Sequence, residues 1–207
     1  MDHLGELLSV QPFWSTRVTH PVSFLIRYLS RPTGNPFRLS RVSHMGLIWH
    51  DRITGRSEIH EALMNRGWNR QDYVKLVEFS LGSMSRVYVG EPVIAGTVAV
   101  AQAYRRSLSW TGATVAGVQH QQRVPYPTRQ ILAIGAARSV FLRWAPLQLR
   151  HDPTRVMCSE GACTILAQFG QPYDLRDDTT RPMDDVLPED ALRTWERRGY
   201  GLTRLAR

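Results

Sequence analysis

Only two cysteines occur in the 207 residues, Cys158 and Cys163, and they lie five positions apart. So close a pair can neither staple distant parts of the chain nor supply a four-thiolate zinc site, so both are read as reduced thiols. Lysine is almost absent: a single lysine stands against 25 arginines, and the formal net charge is +8. No run of about 18 uncharged apolar residues exists, so no membrane-spanning helix is expected. The opening MDHLGELLSVQPFW lacks the basic start and apolar run of a signal peptide, which points to the cytoplasm or to incorporation in a particle. Dense basic blocks are missing as well. The arginines are scattered from Arg17 to Arg207 without an interleaved aromatic stripe, so specific nucleic-acid binding is not expected. A dispersed basic surface suits an anionic lipid, a cell-wall polymer or a neighbouring subunit of an assembly.

What is present is enough apolar residue, 43%, for one sizeable core. Internal repeats and low-complexity tracts are lacking, and proline and glycine separate short elements. After Pro21, VSFLIRYLS places Phe24, Leu25, Tyr28 and Leu29 at helical spacing, and RPTGNP ends that helix because Pro32 and Pro36 prevent continuation. SHMGLIWH, residues 43–50, has the content of a buried strand; Gly55 marks a turn and SEIHEAL returns as its partner. A period of two puts His44, Gly46 and Ile48 on one face of the first strand. VKLVEFSL at 74–81 and VYVG at 87–90 are expected as two more strands of the same antiparallel sheet. Helices are expected over 95–110, over 128–144, at CSEGACTILAQF and at PEDALRTWERR.

The helix beginning at Cys158 carries Ala162, Ile165, Leu166 and Phe169 on one stripe, and Gly170 is placed to end it. A cysteine at a positive helix end has help in losing its proton, and the unpaired N–H groups of the first turn face where an oxyanion would develop. The thiol still needs a proton acceptor, and His44 opens the most strand-like segment. The imidazole in turn needs a group on its other nitrogen, and the neighbouring strand offers Glu61 or His60. Successive strand residues point to opposite faces, so only one of the two can look at His44; the carboxylate is preferred because its charge stabilises an imidazolium. Cys163, on the buried side of its helix, and Trp49 read as core, and His50 and His60 as strand or turn surface.

In its order of motifs the chain resembles the circularly permuted branch of the NlpC-type papain-like superfamily, particularly the YiiX-like members, with relatives in the lecithin retinol acyltransferases. The resemblance rests on LIRYLSR, then SHMGLI, then HEAL, then the tyrosine-containing VPYPTRQILAIG and finally MCSEGACTIL, and it covers residues 21–170. It implies an α+β, permuted papain-like fold with a small antiparallel sheet packed against helices. It also implies Cys158 as nucleophile, His44 as base and Glu61 as third polar residue, with Tyr126 and Ser159 beside the substrate. No metal or other cofactor is implied. The expected organisation is an N-terminal extension over 1–20, the catalytic domain over 21–170, and a C-terminal extension with a short helix over 171–207. The expected activity is that of a cysteine peptidase, amidase or acyltransferase on a cell-wall peptide or a lipid-type acyl substrate. The rival expectation is a structural or binding subunit of a phage tail or other assembly.

Overall fold

The computed structural model describes residues 8–17, 21–29, 39–63, 66–82, 85–112, 114–115, 118–119, 124–125, 155–176 and 186–205. The expected helix over 128–144 lies outside them, as does Tyr126. Among the described residues the strands are β1 (Leu8–Arg17), β2 (His44–Asp51), β3 (Ser57–Leu63), β4 (Gly67–Asp72), β5 (Ser85–Gly90), β6 (Thr114–Val115), β7 (Val118–Gln119) and β8 (Leu202–Arg204). The helices are α1 (Pro21–Leu29), α2 (Val74–Ser80), α3 (Thr97–Ser109), α4 (Cys158–Leu166) and α5 (Pro188–Arg197). Six strands form one sheet in the order β4-β3-β2-β1-β5-β8, every neighbour antiparallel; β6 and β7 pair separately. The fold is α+β, a six-stranded antiparallel sheet packed against several helices.

The hairpin forms as the sequence suggests. Asp51 accepts from the backbone N–H groups of Ile53 and Thr54, and Gly55 takes a positive φ of 65° that a side chain would resist. Met45, Leu47 and Trp49 join Trp14, Trp68, Ile165 and Trp195 in the larger core cluster, on the side covered by α3, α4 and α5. Ile48 joins Phe13, Ile59, Leu76 and Val87 in a smaller cluster on the opposite side. Strand β2 is therefore buried on both faces, which explains its nearly continuous apolar run.

Four expectations need correction. Residues 74–80 are helical: Asp72 accepts from the N–H of Val74 at 2.9 Å, and Leu76 is turned inward while Val74 and Val77 are turned out. A turn closed by Asp72 and the inward pair Leu76 and Ser80, four residues apart, thus outweigh the strand-like composition. The segment expected as an N-terminal extension contains β1, which lies in the middle of the sheet between β2 and β5. That strand contains Pro12, a residue ordinarily confined to sheet edges because it has no N–H to give. Its missing donor falls on the β5 side, just beyond the Phe13–Val89 pair where that ladder ends, so no ladder bond is lost. Consequently β5 reaches the hairpin only through β1. The C-terminal stretch is likewise integral, since β8 pairs with β5 and α5 buries Trp195 completely. Finally His60, expected at the surface, is fully buried.

Helix α1 has an unusual orientation. Its polar Ser23 and Arg27 face inward, whereas Phe24, Leu25 and Tyr28 are 50, 38 and 36% exposed. Arg27 gains a partner inside, donating to the carbonyl of Ser40 at 2.7 Å.

Candidate functional site

Three of the five residues singled out in the sequence come together where β2 begins and α4 begins. Gly46 of β2 lies opposite Glu61 of β3, so these two positions share a face, and His44, two residues before Gly46, shares it too. The missing side chain at Gly46 makes room for the Phe13 ring, which packs against that position. His44 Nε2 donates to Glu61 Oε2 at 2.6 Å. The other carboxylate oxygen, Oε1, accepts from the side-chain amide of Gln71 on β4 at 2.8 Å.

Cys158, the first residue of α4, is 3% exposed and hydrogen-bonds to the His44 side chain. Burial alone would lower the His44 pKa, but the neighbouring Cys158 as thiolate and the Glu61 carboxylate together raise it from 6.5 to about 10. The two negative neighbours thus favour the imidazolium form of His44. The His44 side chain keeps 20% exposure, so the pair is not sealed in the core.

Several contacts hold these groups in place. The N–H of Met157 donates to Glu160 Oε2 at 3.0 Å and sets the start of α4. Further along, Gly161 lies directly against the Trp68 ring, and Cys163 Sγ meets Met45 Sδ at 3.9 Å. Cys163 is fully buried, and burial in first place, with the Asp174 charge after it, pushes its thiol well above the ordinary range. The segment leading into His44 is pinned at both ends. Arg41 donates from its backbone to Glu189 Oε2 at 2.7 Å and from its guanidinium to both oxygens of Glu196 at 2.8 and 2.6 Å. Ser43, Ser23 and Thr16 form a buried hydroxyl cluster beside it.

The other two singled-out residues differ. Ser159 is 1% exposed and its hydroxyl donates to the Val186 carbonyl at 2.6 Å, which ties the start of α4 to the segment before α5. Tyr126 is outside the described residues. Sequence reasoning missed Gln71, which nothing in RQDY marks, whereas Glu160 belongs to the Cys-Ser-Glu motif at the helix start and caps α4 from its third position.

His60 belongs to a second polar network on the opposite face of β3. Its Nδ1 bonds the Ser107 hydroxyl at 2.7 Å and its Nε2 bonds Glu58 Oε1 at 2.9 Å. Glu58 also accepts from Tyr104 and Arg70, and Ser107 accepts from Trp68 Nε1 at 3.3 Å. Burial lowers the His60 pKa despite Glu58, with Arg70 adding to the drop. Ser107 is fully buried, so this serine-histidine-glutamate array has no route to a substrate. An open pocket of about 900 Å³ lies toward the turn end of the hairpin, away from His44, lined among others by Arg56, Glu58, Arg70, Gln71 and Tyr104. It includes none of Cys158, His44 and Glu61. Among the described residues no three His, Cys, Asp or Glu side chains are grouped to hold a metal ion, and no helix is long and apolar enough to cross a membrane.

A buried thiol beside an imidazole at the start of a helix is the kind of setting in which a sulfur gives up its proton more readily. No family model, no curated protein and no solved structure matches the chain.

Proposed function

We propose that the chain is a cysteine hydrolase or acyltransferase that works through a thioester, with Cys158 as nucleophile, His44 as acid and base, and Glu61 as the orienting carboxylate. The observation that carries this reading is that His44 is engaged both by Glu61, through Nε2, and by the Cys158 side chain. The Cys158 thiolate attacks the carbonyl carbon of an amide or ester. The resulting oxyanion is stabilised by N–H groups at the start of α4, and His44 gives a ring proton to the departing amine or alcohol. Water or another acceptor then gives a proton to His44, attacks the thioester and releases the acyl group, which restores the thiolate beside the imidazolium.

A histidine on a strand that precedes the cysteine helix in the chain is the order of a permuted papain-like domain, the family resembled by SHMGLI, HEAL and MCSEGACTIL. On that reading the substrate is a peptide or acyl compound, a cell-wall fragment or a lipid-type ester. Iodoacetamide at about pH 6, followed by peptide mapping, is expected to modify Cys158 far faster than a free cysteine and to leave Cys163 intact. The Cys158→Ala variant is expected to lose turnover in a screen of peptidoglycan fragments and acyl esters. Full turnover by that variant would remove the proposal.

A second reading, a subunit of a phage tail or other assembly, draws on the outward Phe24, Leu25 and Tyr28 of α1 and on the net charge of +8. It predicts that Cys158 alkylates no faster than an ordinary thiol and that the protein associates through α1. It would place the chain in a particle, whereas the enzyme reading suits the cytoplasm equally well.

A further inference from the structure

We propose that Gln71 is a positioning residue for this site: its side-chain amide holds one oxygen of Glu61 so that the other faces His44. The inference rests on the enzyme reading above and deepens it. A carboxylate on a strand can rotate about its last bonds, and each orientation presents its oxygens differently. Only one orientation serves His44. Glu61 Oε2 accepts from His44 at 2.6 Å while Oε1 accepts from Gln71 Nε2 at 2.8 Å, so the two donors define the plane of the group from opposite sides.

The register makes this possible. Glu61 lies opposite Asn69, and Gln71 lies opposite Ile59, two residues away along both strands, so Gln71 and Glu61 are diagonal neighbours on one face of the sheet. A long side chain spans that diagonal and asparagine does not. Glu61 itself is 8% exposed, so water has little access to replace a lost donor. Gln71 is half-buried at the edge of the sheet and also forms part of the wall of the open pocket, so its substitution touches little of the core.

The experiment follows the His44 ring by NMR as pH is raised, in the full chain and in Gln71→Leu and Gln71→Asn, with His44→Gln to assign the signal. Without the amide donor the carboxylate serves the imidazolium less well, so His44 loses its proton at lower pH, by about one unit in both variants. Thermal unfolding of the same samples separates this from a loss of fold; asparagine, which keeps the amide but is one methylene short, covers the case in which leucine disturbs the strand. Cys158 alkylation is measured in parallel. A reactive Cys158 with an unshifted His44 midpoint in a folded variant overturns the role given to Gln71. An unreactive Cys158 in the parent chain overturns the enzyme reading instead. A shifted midpoint with a reactive parent thiol supports both.

Discussion

Replacing Gly161 by alanine turns the seating of α4 into a question of sign. In a helix interior alanine is favoured over glycine by about 1 kcal/mol, so the substitution on a free helix would stabilise. In this fold an added Cβ would stand 2.8 Å from Trp68 Cε3, 3.0 Å from Cη2 and closer still to Cζ3, all well inside carbon contact distance. Trp68 cannot yield cheaply. It is fully buried, its Nε1 donates to Ser107 at 3.3 Å, and its ring stands edge-on to Trp110 with centroids 5.4 Å apart. Forcing a methyl group into a packed core costs about 1–3 kcal/mol, and a rigid ring held on several sides puts this case near the top of that range. Subtracting the helix preference leaves a net loss of about 2 kcal/mol. For a chain of this size that is a fall in Tm of about 4–8 °C, read by calorimetry or circular dichroism.

The same substitution should reach the thiol. Gly161 lies three residues beyond Cys158, so relief of the clash moves the start of α4 away from β2 and with it the sulfur from His44. A displacement of about 1 Å in a reacting group can cost about a hundredfold in rate, and iodoacetamide labelling of Cys158 should slow alongside the loss of Tm. A Gly161→Ala protein as stable as its parent, or more so, would refute the close packing of α4 on Trp68.

Three further outcomes are expected. Glu61→Gln keeps the shape of the side chain but removes the charge, so the His44 titration should move down toward 6.5 and acyl-transfer rates should fall by about two to four orders of magnitude, measured by ring NMR and steady-state kinetics. Ser107→Ala leaves buried His60 Nδ1 and Trp68 Nε1 without their partner, at a cost of about 1–3 kcal/mol in urea unfolding, with Cys158 labelling unchanged because that network is separate. Stability should decline as pH falls below 6.5: the unfolded chain takes up a proton at His60 there while the folded chain, whose His60 pKa is lowered, does not. That decline should begin above the range in which Glu58 and Asp174, both held below their ordinary values, become protonated, and His60→Gln should reduce it.

Much of this arrangement is legible in the chain. SHMGLIWH and SEIHEAL bracket a glycine turn, and CSEGACTIL shows its apolar stripe and its glycine stop, so the elements carrying His44, Glu61 and Cys158 follow from local pattern. Other features depend on partners far away in sequence. β1 hides because both faces are buried, which erases alternation, and because Pro12 is harmless only where β5 ends. The 74–80 helix hides because seven residues are too few for a period to stand out, and Asp72 decides the matter. Gln71 hides because its role is a matter of register: two positions opposite Ile59 and Asn69 bring it to Glu61, and a single strand does not state what lies beside it. The outward apolar side of α1 also defies its own pattern, since a stripe at helical spacing says which residues share a face and not which way the face turns.

Strand β3 shows why one histidine here has chemistry within reach and the other has none. Glu58 and His60 fall on one side of its pleat and Glu61 on the other, so two imidazole-carboxylate pairs sit back to back across a single strand. On the first side Trp49, Tyr104 and Trp68 close around His60, Ser107 takes its remaining nitrogen, and burial keeps the ring neutral. Both nitrogens of His60 are spent on the fold. On the second side Gly46 stands opposite Glu61, and the Phe13 ring fills the space above it so closely that a Cβ at Gly46 would lie 2.5 Å from Phe13 Cε1. Glu61 reaches along the hairpin to His44 at the open end of β2, where the ring keeps some exposure and meets a sulfur instead of a sealed hydroxyl. The two pairs therefore differ in where each lies along the hairpin: one opposite the helix-covered core, the other at the strand end where α4 begins and where the proposed chemistry would take place.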